Sequence, residues 1–256
     1  MIGNGEKDLK AVVVIPARFK SSRYPGKPLV RLLGKPMIQW VAELSATAVG
    51  EKNVYIATDS YEIQNSVESM GYQVLMTPES CLTGTDRLAS IVEQVKADIY
   101  VNVQGDEPMV KPSDITRVIN TKKNNPDHVI NCYTNLLGIE DPENPNIPKV
   151  AISETEDLVY MSRSVIPGTK KQTFKSPEDY LKQVCIYAFN KTELQAFWLK
   201  GRKSALELEE DIEILRFIDL GIPVKMIKVD SGSLAVDVPE DVPVVEAALR
   251  AYKNAT

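Results

Sequence analysis

Four cations, two hydroxyl residues and a glycine crowd into a short stretch near the start of the chain: Arg18, Lys20, Ser21, Ser22, Arg23, Gly26 and Lys27. Lys35 follows just past Gly34. Cations and hydroxyls where backbone can approach closely suit a polyphosphate ligand. The spacing is neither GxGxxG nor GxxxxGK[ST], so the stretch is neither a dinucleotide fingerprint nor a P-loop. A second group is Gln104-Gly105-Asp106-Glu107. Gly105 permits a tight turn, and Asp106 would then offer hard carboxylate oxygens to Mg²⁺ and nucleotide phosphates. The alternative for Asp106 is a turn residue that caps a helix. Asp237 precedes Pro239-Glu240-Asp241 and reads equally as an N-cap. Thr83-Gly84-Thr85-Asp86-Arg87 pairs backbone access at Gly84 with hydroxyls that could read a base edge, or else caps a helix. The single histidine, His128, follows a turn-like stretch; it excludes multi-histidine metal sites and lends no support to a Ser-His-Asp hydrolase.

The elements that must carry these residues alternate. The apolar run Val12–Ile15 reads as a buried strand ended by Pro16, which has no backbone donor. A helix over 37–48, a strand over 53–57, a helix to Met70, a strand over 72–76, a helix from Thr85 to about Lys96 and a strand over 98–103 follow. That alternation predicts a mostly parallel sheet covered on both faces, with the cation-rich loop at the carboxyl end of its first strand. The second half is punctuated by prolines and reads as β-rich, with strands over 129–136, 150–153, 158–161 and 184–189. A single helix over 206–220, a strand over 224–229 and a last helix over 239–253 complete the chain. The expected fold class is α/β: a three-layer, Rossmann-like, mostly parallel sheet with a β-rich extension. The chain is expected to form one domain over 1–256, with the extension at about 129–190.

Composition narrows the function. The chain has 256 residues and a formal net charge of −5, which argues against nucleic acid as the main partner. The three cysteines, Cys81, Cys132 and Cys185, show no CxxC spacing and read as buried small hydrophobes in a reducing compartment. No apolar run approaches membrane-spanning length, so no membrane partner is expected. The opening MIGNGEKDLK lacks an apolar core, and a cytoplasmic location is the expectation.

IPARFKSSRYPGKPL, followed by GKPMI, closely resembles the nucleotide-binding signature of the CMP-Kdo synthetases, the 3-deoxy-manno-octulosonate (Kdo) cytidylyltransferases. The resemblance continues through ATDS (57–60), TGTDR (83–87), VNVQGDEPM (101–109), YMSRSVIP (160–167) and VDVPED (236–241), nearly the whole chain. It implies a nucleotide-diphospho-sugar transferase-like fold. It implies an enzyme that joins CTP to a 2-keto-3-deoxy sugar acid, releasing pyrophosphate and giving a CMP-sugar for lipopolysaccharide or capsule synthesis. It places Pro16, Ala17, Arg18, Ser21, Ser22, Lys27, Thr85, Asp86, Arg87 and Gln104 around CTP, with Lys27, Arg18 and Asp106 as the catalytic groups. It makes Asp106 and Asp237 the Mg²⁺ ligands; the family's Thr in the second block is Val238 here, which leaves the carboxylate intact. It assigns the sugar acid to Arg23, Gln104, Lys149, Arg163, Gln183, Tyr187, Glu210 and Glu213.

The sequence departs from the family in the blocks that line the sugar pocket. The family's KHxGIYxYR is here Lys182-Gln183-Val184-Cys185-Ile186-Tyr187-Ala188-Phe189-Asn190, so histidine becomes Gln183, glycine becomes Cys185 and arginine becomes Asn190. In ExLEQLR the glutamine becomes Ile214. Gln183 hydrogen-bonds without charge, and such changes can switch substrates, so another ulosonic or nonulosonic acid (8-amino-Kdo or a sialic-type acid) and a nucleotide binder that has lost turnover stay open as alternatives. The family also implies a homodimer formed through the β-rich half, the irregular region in which the apolar residues Ile166, Phe174 and Tyr180 fall.

Overall fold

The computed structural model describes residues 9–20, 24–168, 170, 176–230 and 234–255, with backbone only over 253–255. Ser21, Ser22, Arg23 and Phe174 lie outside the described residues. The main elements are β1 (Ala11–Ala17), α1 (Met37–Val49), β2 (Val54–Thr58), α2 (Tyr61–Ser69), β3 (Gln73–Met76), α3 (Gly84–Ser90), β4 (Ile99–Val103), α4 (Pro112–Asn124) and β5 (Val129–Asn135). They continue with β6 (Lys149–Ile152), β7 (Leu158–Ser162), β8 (Leu181–Phe189), α5 (Lys191–Leu199), α6 (Ala205–Glu210), α7 (Leu215–Asp219), β9 (Val224–Lys228) and α8 (Val242–Ala255).

Seven strands form the main path of one sheet, in the order β9-β5-β8-β4-β1-β2-β3. β1 is parallel to β2 and β4, β2 to β3, and β9 to β5, while β8 runs antiparallel to both β4 and β5. The β6–β7 hairpin joins through a β6–β8 contact at Lys149 and Lys182. The β-rich second half is therefore an extension of the same sheet, as expected, and not a separate lobe.

Alternation along β1 shows why the sheet is buried on both faces. Val12 and Val14 enter the core under α3 and α5, while Val13, Ile15 and Ala17 enter the core under α1 and α4. A central strand with two dry faces needs this continuous β-branched run. The strand does not stop at Pro16, as its missing donor suggested. It runs on to Ala17, pairing with β2 through Pro16–Ala57 and Ala17–Thr58. The ladder to β4 has already ended at Val14–Asn102, so the proline lies where that neighbour needs no donor.

Two expected helices differ. The segment 206–220 is broken into α6 and α7 by Asp211, which takes the left-handed conformation at φ 51°. Neither glycine nor proline marks this break; aspartate tolerates that conformation and terminates α6 there. The helix from Thr85 is shorter than expected, α3 giving way to turns after Ser90. A third, smaller core of Leu32, Met37, Trp40, Val236, Val245 and Leu249 packs α8 against the first loop and the start of α1. This core fixes where the segment before α8 crosses the sheet end.

Candidate active site

The carboxyl ends of β1 and β4 lie side by side and open into a cleft. Gly105 follows β4, and a Cβ there would stand 3.0 Å from the Pro16 carbonyl and 3.3 Å from Ile38 Cδ1. Only glycine lets the two strand ends close up in this way. Gly84 plays the matching part at α3, where a Cβ would meet Gln104 Nε2 and Pro16 Cγ at 3.1 Å each.

The first lobe of the cleft, about 500 Å³, brings together Pro16, Ala17, Arg18, Lys27, Arg87, Gln104 and Asp106. Asp237 arrives from the far end of the chain, because Val236 is buried and its N–H donates to the Asp106 carbonyl at 3.1 Å. Lys27 Nζ then lies 2.6 Å from Asp106 Oδ2 and 3.3 Å from Asp237 Oδ1. Burial would lower the Lys27 pKa, but the charges and hydrogen bonds of Asp106, and then Asp237, outweigh it and hold the pKa above the usual lysine value. Arg18 is exposed at the rim and makes no hydrogen bond or ion pair with the described residues.

The two carboxylates that converge on this ammonium are the residues expected to hold Mg²⁺. Among the described residues no group of three or more His, Cys, Asp or Glu side chains could hold a metal. Two hard oxygen ligands facing an open cleft suit an ion that keeps waters and substrate phosphates in its coordination shell, so the donor set fits Mg²⁺.

The TGTDR turn divides its labour. Thr83 and Asp86 form a reciprocal capping box, with Asp86 N donating to Thr83 Oγ1 at 3.1 Å and Thr83 N donating to Asp86 Oδ2 at 2.9 Å. Asp86 is turned inward, away from the cleft: Arg216 Nη1 and Nη2 reach its oxygens at 2.6 and 3.2 Å. Arg216 also forks onto Glu207 at 2.6 and 2.7 Å, is fully buried, and stacks 3.7 Å from the Phe197 ring centroid. Thr85 is buried too; its N–H donates to Glu213 Oε2 at 2.9 Å. Arg87 lines the cleft, held by Asp59 at 2.9 Å and by the Thr77 hydroxyl. The face of TGTDR that lines the cleft is thus Thr83, Gly84 and Arg87, while Thr85 and Asp86 hold the turn.

A second lobe of about 590 Å³ continues from the first and shares Gln104, Asp106, Arg163 and Asp237 with it. β8 is long, and only its later half pairs with β4, starting at Ile186–Val103. Its opening residues overhang the end of β4 and place Gln183 and Cys185 along this lobe, joined by Tyr187 from the first paired residues. Glu213 sits opposite, accepting from Gln104 Nε2 at 3.1 Å, and burial raises its pKa. Arg163 points its guanidinium at the carbonyls of Pro145 and Asp211, at 2.7 and 2.9 Å, and forms no ion pair with a described carboxylate. Glu210 does not line the cleft: it accepts from Ser162 Oγ at 2.7 Å and Arg163 N at 2.8 Å, and so fixes the Arg163 backbone. Burial opposes ionisation of Glu210, but these donors and Tyr160 hold its pKa below the usual value. Lys149 lies outside the cleft as well. It is fully buried, and its ammonium staples the carbonyls of Asn144 and Arg163 at 2.9 and 2.6 Å.

Several readings shift with this geometry. Ile214 is core, not pocket wall, and Asn190 caps α5 by accepting from Glu193 N at 2.8 Å. Only Cys132 is a buried hydrophobe of the expected kind; Cys81 and Cys185 are half-buried and line the cleft. Asn146 and Asp211 line both lobes without any motif to announce them. Arg216 closes the ExLEQLR block, but its partners, Asp86 and Glu207, lie outside that block and only the fold brings them to it.

Comparison with known proteins identifies the family. Residues 12–224 match the family model described as cytidylyltransferase. A 3-deoxy-manno-octulosonate cytidylyltransferase of Escherichia coli is 36% identical over 90% of this chain and 92% of its own length. A mitochondrial 3-deoxy-manno-octulosonate cytidylyltransferase of Arabidopsis thaliana is 36% identical over 97% of this chain and 87% of its own. The solved structure of a CMP:2-keto-3-deoxy-manno-octonic acid synthetase complexed with CTP superposes with a TM-score of 0.86 at 36% identity, covering 95% of this chain and 99% of that one. A cytidylyltransferase from Leptospira borgpetersenii shares the fold alone, at 15% identity and a TM-score of 0.60 over 94% of this chain and 87% of its own.

Proposed function

The chain belongs to the cytidylyltransferase family, and we propose that it couples CTP to Kdo, giving CMP-Kdo and pyrophosphate. The observation that carries the reading is the convergence of Lys27, Asp106 and Asp237, from the start, middle and end of the chain, on one point at the carboxyl ends of β1 and β4. That is where an open α/β sheet binds its ligand.

In the first lobe, Arg18, Lys27 and Arg87 meet the triphosphate, and Pro16, Ala17, Thr83 and Gly84 wall the nucleoside. Ser21 and Ser22, in the same loop, are assigned to the phosphates by the family motif alone. The second lobe takes the sugar acid, with Arg163 as the cation for its carboxylate. Gln104, at the junction, contacts both substrates. Arg23 stays with the acceptor on the strength of the motif.

The anomeric hydroxyl oxygen of the acceptor attacks the α-phosphorus in line. A new P–O bond forms, the bond to the β-phosphate breaks, pyrophosphate leaves, and the hydroxyl proton passes to solvent. No protein nucleophile takes part. Lys27 supplies fixed positive charge where the phosphoryl oxygens gain negative charge. Asp106 and Asp237 would hold Mg²⁺, which when bound polarises the α-phosphate and lowers the pKa of the attacking hydroxyl. The protein otherwise acts by holding the two substrates at reacting distance.

The exposed apolar side chains of Leu137, Ile139 and Val159 fall in the β5–β7 region and support a homodimer formed through that edge. No helix among the described residues is long and apolar enough to cross a membrane; a cytoplasmic enzyme serving surface polysaccharide synthesis is the reading consistent with its substrates.

Pyrophosphate release with Kdo, Mg²⁺ and each of CTP, UTP, ATP and TTP tests the proposal. Release with CTP alone supports it. Equal release with TTP, or none with any nucleotide, contradicts it.

A further inference from the structure

The wall of the second lobe contains a chain of amides whose orientations are fixed by one irregularity in β8. Val184 pairs with Cys132, but the next pair is Tyr187–Asn131, so β8 bulges at Cys185 and Ile186. Asn131, fully buried, bridges the bulge from β5: its Nδ2 donates to Val184 O at 2.9 Å and to Ile186 O at 3.1 Å. Both acceptors are carbonyls, so the amide nitrogen of Asn131 must face them and Oδ1 must face away. Oδ1 then accepts from Gln183 Nε2 at 3.1 Å. The same Nε2 gives its other hydrogen to the Tyr187 hydroxyl oxygen at 3.3 Å. Turning Gln183 over would set its carbonyl oxygen against Asn131 Oδ1, lone pair against lone pair.

Both donors of Gln183 are therefore spent within the fold, and Oε1 makes no hydrogen bond with any described residue. Gln183 is half-buried and lines the lobe. We propose that Gln183 Oε1 is a specificity contact that accepts a hydrogen bond from one hydroxyl of the acceptor sugar, and that Asn131 is the positioning residue that turns it to accept. The inference rests on the reading that this lobe takes the sugar acid. It goes further in requiring a donor on the substrate at that point: a hydroxyl or an ammonium fits, whereas an ether, a fluorine or a carbonyl does not.

The test is a cycle between enzyme and substrate variants. Wild-type protein is assayed for pyrophosphate release with CTP, Mg²⁺ and Kdo, then with the monodeoxy and monofluoro derivatives of Kdo that each lack one non-reacting hydroxyl. One position is expected to lose about 5- to 100-fold in kcat/KM in both derivatives, the cost of leaving a buried acceptor unpaired. In Gln183→Met, Kdo itself should fall by a similar factor and the derivatives at that position should fall no further. Asn131→Leu should show the same insensitivity with the KM for CTP unchanged; where it fails to fold, Gln183→Met carries the test alone. Losses that multiply at every position, or a fluoro derivative turned over as well as Kdo, would overturn the proposal while leaving the cytidylyltransferase reading intact. A wild type silent with Kdo would overturn that reading, and the proposal with it.

Discussion

Arg216→Met asks how much of the CTP site is held by buried charge. Arg216 is fully buried, and its guanidinium forks onto two carboxylates, Glu207 and Asp86, with four contacts between 2.6 and 3.2 Å. Methionine fills much of the same volume but leaves both carboxylates without a partner. Breaking a buried pair by removing one member costs about 3–5 kcal/mol, because an uncompensated charge stays behind. For a chain of this size, 1 kcal/mol moves the melting temperature by about 2–4 °C, so a fall of roughly 6–20 °C is expected. Arg216→Lys should fall in between, since an ammonium keeps the charge but cannot fork onto both carboxylates. The site should also respond. Asp86 is the N3 partner of the capping box that shapes Thr83 and Gly84, so freeing it should raise the KM for CTP severalfold below the melting transition. Thermal unfolding followed by circular dichroism, with CTP kinetics at 20 °C, checks both effects. A fall of less than about 3 °C would refute the claim that this cluster anchors α7 to α3.

Other substitutions probe the cleft itself. Lys27→Met should lower kcat by about 10²–10³, the usual loss on removing one preorganised donor, as read by pyrophosphate release. The Lys27 pKa is raised in the fold, so its contribution to stability is complete below the unfolded value of 10.5 and is lost only as pH climbs through the higher folded value. The difference in melting temperature between wild type and Lys27→Met should therefore be flat from pH 7 to about pH 9.5; a difference that shrinks across that window would contradict the raised pKa. Asp106→Asn should abolish metal-dependent turnover and leave the melting temperature within a few degrees, checked by a Mg²⁺ titration of both properties. Lys149→Ala should destabilise without a selective effect on KM for the acceptor, because among the described residues its ammonium serves only the carbonyls of Asn144 and Arg163; a selective rise in the acceptor KM would return it to the pocket.

The strands were legible because a β-branched run buried on two faces leaves a continuous apolar signal, as in Val12–Ile15. The residues of the first lobe were legible because glycine and charge recur at strand ends, where only a turn or a ligand explains them. What could not be read locally was direction. Thr85, Asp86, Lys149 and Glu210 belong to the right segments, yet they point into the protein and hold the residues that face the cleft. Whether a charge faces ligand or lattice of carbonyls depends on partners far away in sequence, such as Arg216 for Asp86. The break at Asp211 was hidden for a related reason. It follows from burying Ile212 and Ile214 while Glu213 turns toward the cleft, a tertiary demand that overrides helix propensity. The bulge in β8 was hidden because no glycine marks it, and the side chain that bridges its carbonyls, Asn131, comes from the neighbouring strand.

The central claim is that this cleft makes a phosphodiester between the α-phosphate of CTP and the anomeric oxygen of Kdo. Phosphorus and carbon NMR of a reaction with Kdo labelled with ¹³C at its anomeric carbon, CTP and Mg²⁺ tests it most directly. A new phosphodiester resonance coupled to the labelled carbon, growing in step with pyrophosphate, is the expected result. Pyrophosphate that appears without that coupling, or a coupling to any other carbon, would contradict it.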